Sequence, residues 1–317
     1  MSDRLIVSSS PHLREDTSIQ KIMVDVAIAL IPATIASIYF FKAPAAMILL
    51  VTIISCLATE VVIQKIRNMP VTIHDGSALV TGMLLALNLP PTVPLWLPVV
   101  GSVFAIGIVK QLFGGVGQNF MNPALAARIM LTISYADRMT GWVEPGVDAV
   151  STATPLTYVK DFTTVQQGAP SFVDLLIGDI GGSMGETSAL LLIIGGIYLL
   201  YRRVISIRIP GIYILTVAIA TLLYSGFNVE YMTFHLLSGS LMIGAIYMAT
   251  DYASTPVTPR GRIYFALGCG ILTATIRLFG GYAEGVGFSI LLMNTMVPLI
   301  DRYTAPKVFG EVKKQNA

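Results

Sequence analysis

Charge is what this sequence has least of. Asp, Glu, Lys and Arg make up 12% of its 317 residues while 54% are hydrophobic, and mean hydropathy is +0.74. An ordinary soluble domain carries about 25% charged residues, so a soluble globular chain is excluded. There are two cysteines, Cys56 and Cys269, each inside an apolar run. That excludes a disulfide framework, a zinc knuckle or an iron–sulfur ligand set built within this chain. Of the three histidines, His12 and His74 read as interfacial hydrogen-bonders and His235 as the start of a helix; no pair has metal-ligand spacing. The net charge of +2 is too small to point to a nucleic-acid partner. The first twenty residues are polar, so no cleavable signal peptide is expected and the first span serves as its own insertion signal.

What the chain has in abundance is apolar runs bounded by charge, Pro or Gly. They fall at 22–41, 44–63, 77–89, 95–113, 120–135, 187–201, 209–226, 234–249, 263–279 and 286–300. These predict an all-α polytopic membrane protein of about ten transmembrane helices. Runs 77–89 and 234–249 are short and rich in small residues (Gly76, Ser77, Gly82; Gly239, Ser240, Gly244), as expected of internal or broken helices shielded from lipid. With the amino terminus cytoplasmic, fifteen Lys and Arg fall at inner ends and four (Lys42, Arg138, Lys160, Arg277) at outer ends. By the positive-inside rule both termini are then cytoplasmic. The hydrophilic stretch 136–186, with seven acidic and two basic residues, lies outside.

A pattern repeats along the chain. Gly76-Ser77, Leu112-Phe113-Gly114-Gly115, Gly115-Val116-Gly117 and Met121-Asn122 recur as Gly239-Ser240, Leu278-Phe279-Gly280-Gly281, Gly285-Val286-Gly287 and Met293-Asn294. Five spans per copy force opposite orientations, the inverted-repeat plan with sites near the midplane. The expected division is a first five-helix repeat at 1–135, an extracytoplasmic loop at 136–186 and a second repeat at 187–317.

Four places could carry chemistry. In Asp148-Ala149-Val150-Ser151-Thr152-Ala153-Thr154-Pro155-Leu156, the Thr154 hydroxyl between Ala and Pro is sterically open, and Asp148 could orient an incoming group. No His lies nearby in sequence to act as a base, so the site suits covalent modification better than nucleophilic catalysis, and a plain turn is the competing reading. In Gly114 to Pro123, neither a Walker nor a Rossmann pattern is present. Asn119 and Asn122, three apart, would share a helical face and could grip the edge of a heteroaromatic ring; a close helix crossing is the alternative. Asp251, after the short run 234–249, is either paired with Arg260 and Arg262 or a cation-binding carboxylate at the mouth of a broken helix. Arg128, inside the fifth span, requires a partner or an anion.

The segment ending in Thr154 resembles the flavinylation motif Asp-x-x-[Ser/Thr]-Gly-Ala-Thr-x-Leu of the Rnf and Nqr respiratory complexes, with Thr152 at the usual glycine position. Further matches are Ser10-Pro11-His12, His74-Asp75-Gly76-Ser77-Ala78-Leu79-Val80-Thr81-Gly82, Asn88-Leu89-Pro90-Pro91 and Lys110 through Leu125. Over nearly its whole length the chain is similar to the NqrB/RnfD family of membrane flavoproteins, and to its Rnf-type branch, since Nqr-type members typically have a longer amino-terminal region. The resemblance implies FMN on Thr154 through a phosphoester bond, within a motif that includes Asp148 and Ser151. It also implies a non-covalent riboflavin in the membrane part, for which Asn119, Asn122 and Arg128 are the candidate contacts, and an ion-coupling role for Asp251. It implies electron transfer coupled to Na⁺ or H⁺ transport, with other Rnf-type subunits, a flavoprotein at the outer face and a flavin transferase as partners. A non-redox channel or transporter on the same scaffold is the alternative; such a protein has no need of the Thr154 motif.

Overall fold

The computed structural model describes residues 18–143, 154–160, 162–186 and 188–306. Among these residues the regular structure is helical. Helix α1 (Ile19–Ile66) starts where the Ser18 side chain accepts the Lys21 N–H. At Lys42 the backbone leaves the helical region (φ 53°, ψ −134°), and Pro44, which has no N–H to donate, follows. The element is therefore two arms, matching the runs 22–41 and 44–63. Each arm alone reaches the roughly 20 residues that a bilayer core requires.

Then come α2 (Ser77–Leu87), α3 (Trp96–Ser102) running into a wider π-helical stretch Val103–Gln111, α4 (Pro123–Ser134), α5 (Ala136–Met139) and α6 (Phe172–Ile177). The remaining elements are α7 (Ala189–Tyr201), α8 (Arg208–Tyr224), α9 (Val229–Leu237), α10 (Leu241–Ile243) prolonged by a π turn over Gly244–Met248, α11 (Pro259–Phe279) and α12 (Val286–Thr304). By length and composition, α1 and α11 are apolar enough to cross a membrane, and α9 with the stretch Leu241–Met248 forms a further apolar pair bent by 66°. His235 lies in the last turn of α9 and does not start a helix. The chain is a membrane protein.

The packing explains the composition. α2 is buried on nearly every side, as its small residues predict, and lies against α1; α7 also packs on α1, and α11 packs between α8 and α12. The main core joins Leu30, Leu85, Leu87, Ala105, Leu125 and Ile243. The outward faces are equally apolar, with Ile35, Tyr39, Leu215, Leu223 and Ile271 exposed. Helices apolar all round belong in a hydrocarbon solvent. Lys110 and Arg277, counted above among the charges at span ends, lie in the last turns of their helical stretches and are buried in ion pairs, at 2.6 Å from Glu60 and 3.2 Å from Glu284. Two main-chain bonds pin the segment 183–186 to the end of α2: Met184 N–H donates to Leu89 O and Gly185 N–H to Leu87 O. A Cβ at position 185 would stand 2.8 Å from Leu87 O, which is why glycine occupies it.

Candidate functional site

Helix α4 is the wall between two cavities. Its start is set by Asn122, whose Oδ1 accepts the N–H groups of Ala124 and Leu125, with Pro123 at the first helical position. Sequence spacing placed Asn119 and Asn122 on one helical face; the structure overturns this. Gly114, Gly115 and Gly117 all have positive φ, the run up to residue 122 is irregular, and Asn122 is the cap rather than a helical position. The two amides nevertheless meet the same space.

The cavity at the start of α4, the inner of the two in the orientation expected from the sequence, has a volume of about 270 Å³, and its polar wall includes Ser77, Lys110, Asn119, Asn122 and Asp251. Asn119 Nδ2 donates to Asp251 Oδ2 at 3.3 Å, and Ser254 Oγ donates to the same oxygen at 2.9 Å. Burial pushes the Asp251 carboxyl above the usual range, partly opposed by these bonds. The sequence offered Arg260 and Arg262 as its partners; Arg262 instead donates to Pro256 O. Asn122 Nδ2 reaches Met248 O at 3.3 Å, and Asn122 N–H donates to Asn294 Oδ1 at 3.2 Å. The two asparagines aligned by the sequence repeat are thus bonded to each other.

Less than two helical turns along α4, Arg128 faces the other cavity, of about 140 Å³. Its guanidinium donates to Asn88 Oδ1 (2.7 Å) and to Glu186 Oε1 (3.1 Å), supplying the partner that a buried arginine demands. Thr154 lines the same cavity, half-buried, at the start of a 3₁₀ turn Pro155–Tyr158. Its hydroxyl lies 3.2 Å from that of Thr157. Two residues on, Leu156 is buried with Val159, Tyr231 and Phe234, so the turn that presents Thr154 is anchored from beneath. Asp148 and Ser151 lie outside the described residues.

Glu284 completes this outer cavity. It accepts from Arg277 and from Ser240 N–H (2.9 Å) at the break between α9 and α10, and from Val286 N–H (3.2 Å) at the start of α12. Gly239 in that break has φ +70°, and a Cβ there would collide with Glu284 and Arg277. Burial pushes the Glu284 carboxyl up, but the charges of Arg277 and Arg128 and the two amides outweigh it and hold it below the usual range. Glu186 goes the other way: burial raises it, and Arg128 only partly compensates. Sequence reasoning missed Glu186, Glu284 and Asn88. The only pointer was Arg128 itself, which required a buried carboxylate somewhere. Among the described residues no group of three or more His, Cys, Asp and Glu could hold a metal ion.

Comparison with known proteins adds an independent line. Residues 6–310 match the model of the NQR2, RnfD, RnfE family. Three relatives are similar over nearly their whole length, and each is a component of a multi-subunit complex. The chain is 52% identical, over 98% of its length and 96% of the relative's, to one from the Na⁺-translocating ferredoxin:NAD⁺ oxidoreductase complex of Acetobacterium woodii. It is 45% identical, over 96% of both, to one from the proton-translocating ferredoxin:NAD⁺ oxidoreductase complex of Clostridium ljungdahlii. It is 40% identical, over 93% of both, to one from the ion-translocating oxidoreductase complex of Stutzerimonas stutzeri.

Proposed function

The chain belongs to the NQR2, RnfD, RnfE family, and on that premise we propose that it is the membrane electron-carrying subunit of an Rnf-type ion-translocating ferredoxin:NAD oxidoreductase. FMN is held by a phosphoester on Thr154, and riboflavin is held without a covalent bond in the inner cavity. The observation that carries the reading is the Thr154 hydroxyl, half-exposed on an anchored turn and opening onto a cavity that holds Arg128. A flavin supplies one- and two-electron chemistry; the protein binds and orients it and sets its electrostatics.

The residues present suit that group. Thr154 offers an attachment oxygen free of backbone bonds, with Asp148 and Ser151 preceding it in the motif. Arg128 offers a fixed positive charge toward an anion, and Trp142, Tyr282 and Phe288 offer apolar ring faces. The volume of about 140 Å³ takes part of a flavin nucleotide and leaves the remainder outside. The inner cavity approaches the roughly 300 Å³ at which small-molecule pockets begin, with mostly apolar walls and a few converging polar groups. Asn119 and Asn122 there meet a ring edge, and Asp251 is the ion-coupling carboxylate.

The setting is a prokaryotic cytoplasmic membrane, spanned by about ten helices in two oppositely oriented halves with both termini inside. The partners are the other subunits of the complex, including a flavoprotein at the outer face, and a flavin transferase for maturation. The transported ion is Na⁺ or H⁺; the names of the first two relatives above differ on this point.

The test is a denaturing gel of the chain purified from cells that possess the transferase, viewed under ultraviolet light. Wild type is expected to fluoresce, Thr154→Ala to be dark and Thr154→Ser to retain part of the signal because a hydroxyl remains. A dark wild-type band, or a bright alanine variant, overturns the attachment.

A further inference from the structure

The outer cavity brings together two carboxylates and two arginines whose bonding is unequal. Glu284 is locked: both its oxygens contact Arg277, and each also accepts a backbone N–H, one from Ser240 and one from Val286. Adding a proton there would sacrifice bonds that hold the broken helix together. Glu186, 6% exposed, has one charged tether, Arg128 at 3.1 Å. Arg128 keeps its other bond, to Asn88 Oδ1, whether or not Glu186 is charged. As built, Arg128 and Arg277 balance Glu186 and Glu284.

We propose that Glu186 is the proton-exchanging carboxylate of the outer cavity, taking up one proton when negative charge arrives beside Thr154 and releasing it when that charge moves on. Glu284 is the fixed counter-charge. The proposal rests on the reading that Thr154 carries a redox group.

The balance is simple. One electron enters the cavity from an upstream iron–sulfur or flavin centre of the assembly, and one proton enters from water at the cavity mouth. One O–H bond forms on Glu186, and the cavity's net charge returns to its starting value. When the electron leaves, that O–H bond breaks and the proton departs. Compensation of this kind is required because an extra buried charge without a partner is expensive in a low-dielectric site. Arg128, released from Glu186, is then free to face the new negative charge.

The groups facing Glu186 are Arg128 from α4, Glu284 from the segment between α11 and α12, and Ser183 from its own segment. Thr132, Thr140, Trp142, Thr154 and Tyr282 add uncharged polar groups to the lining. The raised position of the Glu186 carboxyl and the lowered one of Glu284 agree with this division, since carboxyls driven apart by their surroundings take different roles.

The experiment is a redox-induced infrared difference spectrum of the assembled complex in membranes, after gel fluorescence has verified the flavin on this chain. A protonated-carboxyl band should appear on reduction, shift when glutamate is carbon-13 labelled, vanish in Glu186→Gln and persist in Glu284→Gln. No such band in fluorescent wild-type complex, a band that fails to shift with labelled glutamate, or a band that survives in Glu186→Gln overturns the proposal. If Glu186→Gln does not assemble, Glu186→Asp takes its place: the band should then lose its shift with labelled glutamate and gain one with labelled aspartate, and a band that still shifts with labelled glutamate overturns the proposal. A dark wild-type band, by contrast, defeats the Thr154 reading rather than this one.

Discussion

Among the described residues an ion pair stands beside each of the steps Gly76-Ser77 and Gly239-Ser240, and the two pairs are built differently. Beside Gly76-Ser77, Lys110 Nζ donates to Glu60 Oε1 (2.6 Å) and to Ser77 Oγ (2.7 Å), while Gln111 shares that Glu60 oxygen. Side chains meet side chains, and Glu60 Oε2 has no hydrogen-bond partner among the described residues. Beside Gly239-Ser240, Arg277 spreads its guanidinium over His235 O, Ser238 O and both Glu284 oxygens. There the charges satisfy main-chain groups left open by a broken helix. The lesson is in the cation: a compact ammonium serves a point contact, whereas a planar fork can staple a backbone break. The first pair is a local cluster, and the second is the fastener of α9 to α10.

The comparison is broken most sharply by removing the fastener. Arg277→Met strands the Glu284 charge and opens the carbonyls of His235 and Ser238. Removing one partner of a buried pair typically costs about 3–5 kcal/mol, and each unsatisfied buried carbonyl adds about 1–3 kcal/mol. The expected result is little or no folded protein by size-exclusion chromatography in detergent. A well-behaved monodisperse Arg277→Met variant would show that the second pair staples nothing.

A smaller effect follows for the first pair. Lys110→Met leaves Glu60 buried and uncompensated, again at a cost of about 3–5 kcal/mol. The double variant Lys110→Met with Glu60→Gln removes both charges, and because no broken backbone depends on them it should recover most of the loss. Thermal unfolding in detergent reads both. The matching double variant Arg277→Met with Glu284→Gln should recover far less, since the carbonyls stay open. Equal recovery at the two pairs would erase the distinction.

The difference between the two pairs was only partly legible in the sequence. The repeat aligned Met121-Asn122 with Met293-Asn294, whose asparagines are bonded to each other, and the small residues of the run 77–89 pointed to a shielded helix, found at Ser77–Leu87. Lys110 and Arg277 were counted as charges at span ends, and their burial in ion pairs was not legible, because hydropathy shows where a charge interrupts an apolar run but not whether a carboxylate waits there. Glu60 lies 50 residues from Lys110, and Glu186 lies 58 from Arg128. The shared helical face expected of Asn119 and Asn122 failed for a local reason: spacing of three implies a shared face only in a helix, and Gly114, Gly115 and Gly117 had already unwound the chain. Thr154 stood out for the opposite reason, since its motif is contiguous, and its hydroxyl lines the cavity that holds Arg128.

Acid provides the gentlest test of the same contrast. The Glu284 carboxyl is held below its ordinary value of about 4.5 by the balance of burial against Arg277, Arg128 and two amides. A carboxylate depressed in the folded state contributes stability that is fully present above the unfolded value and is lost as pH falls through the folded one. Stability should therefore decline as pH drops below about 4.5, and the break at Gly239 should loosen first. In Glu284→Gln that part of the acid sensitivity should be absent, at the expense of lower stability at neutral pH, because a neutral amide offers Arg277 only one accepting oxygen. Hydrogen exchange at Ser240 and Val286, the two amides bound by Glu284, locates the effect: their protection should fall with acid in wild type and be weak at every pH in the variant. Unchanged protection of both amides down to pH values well below 4.5 would mean that Arg277 closes the break alone, and that the carboxylate is a passenger.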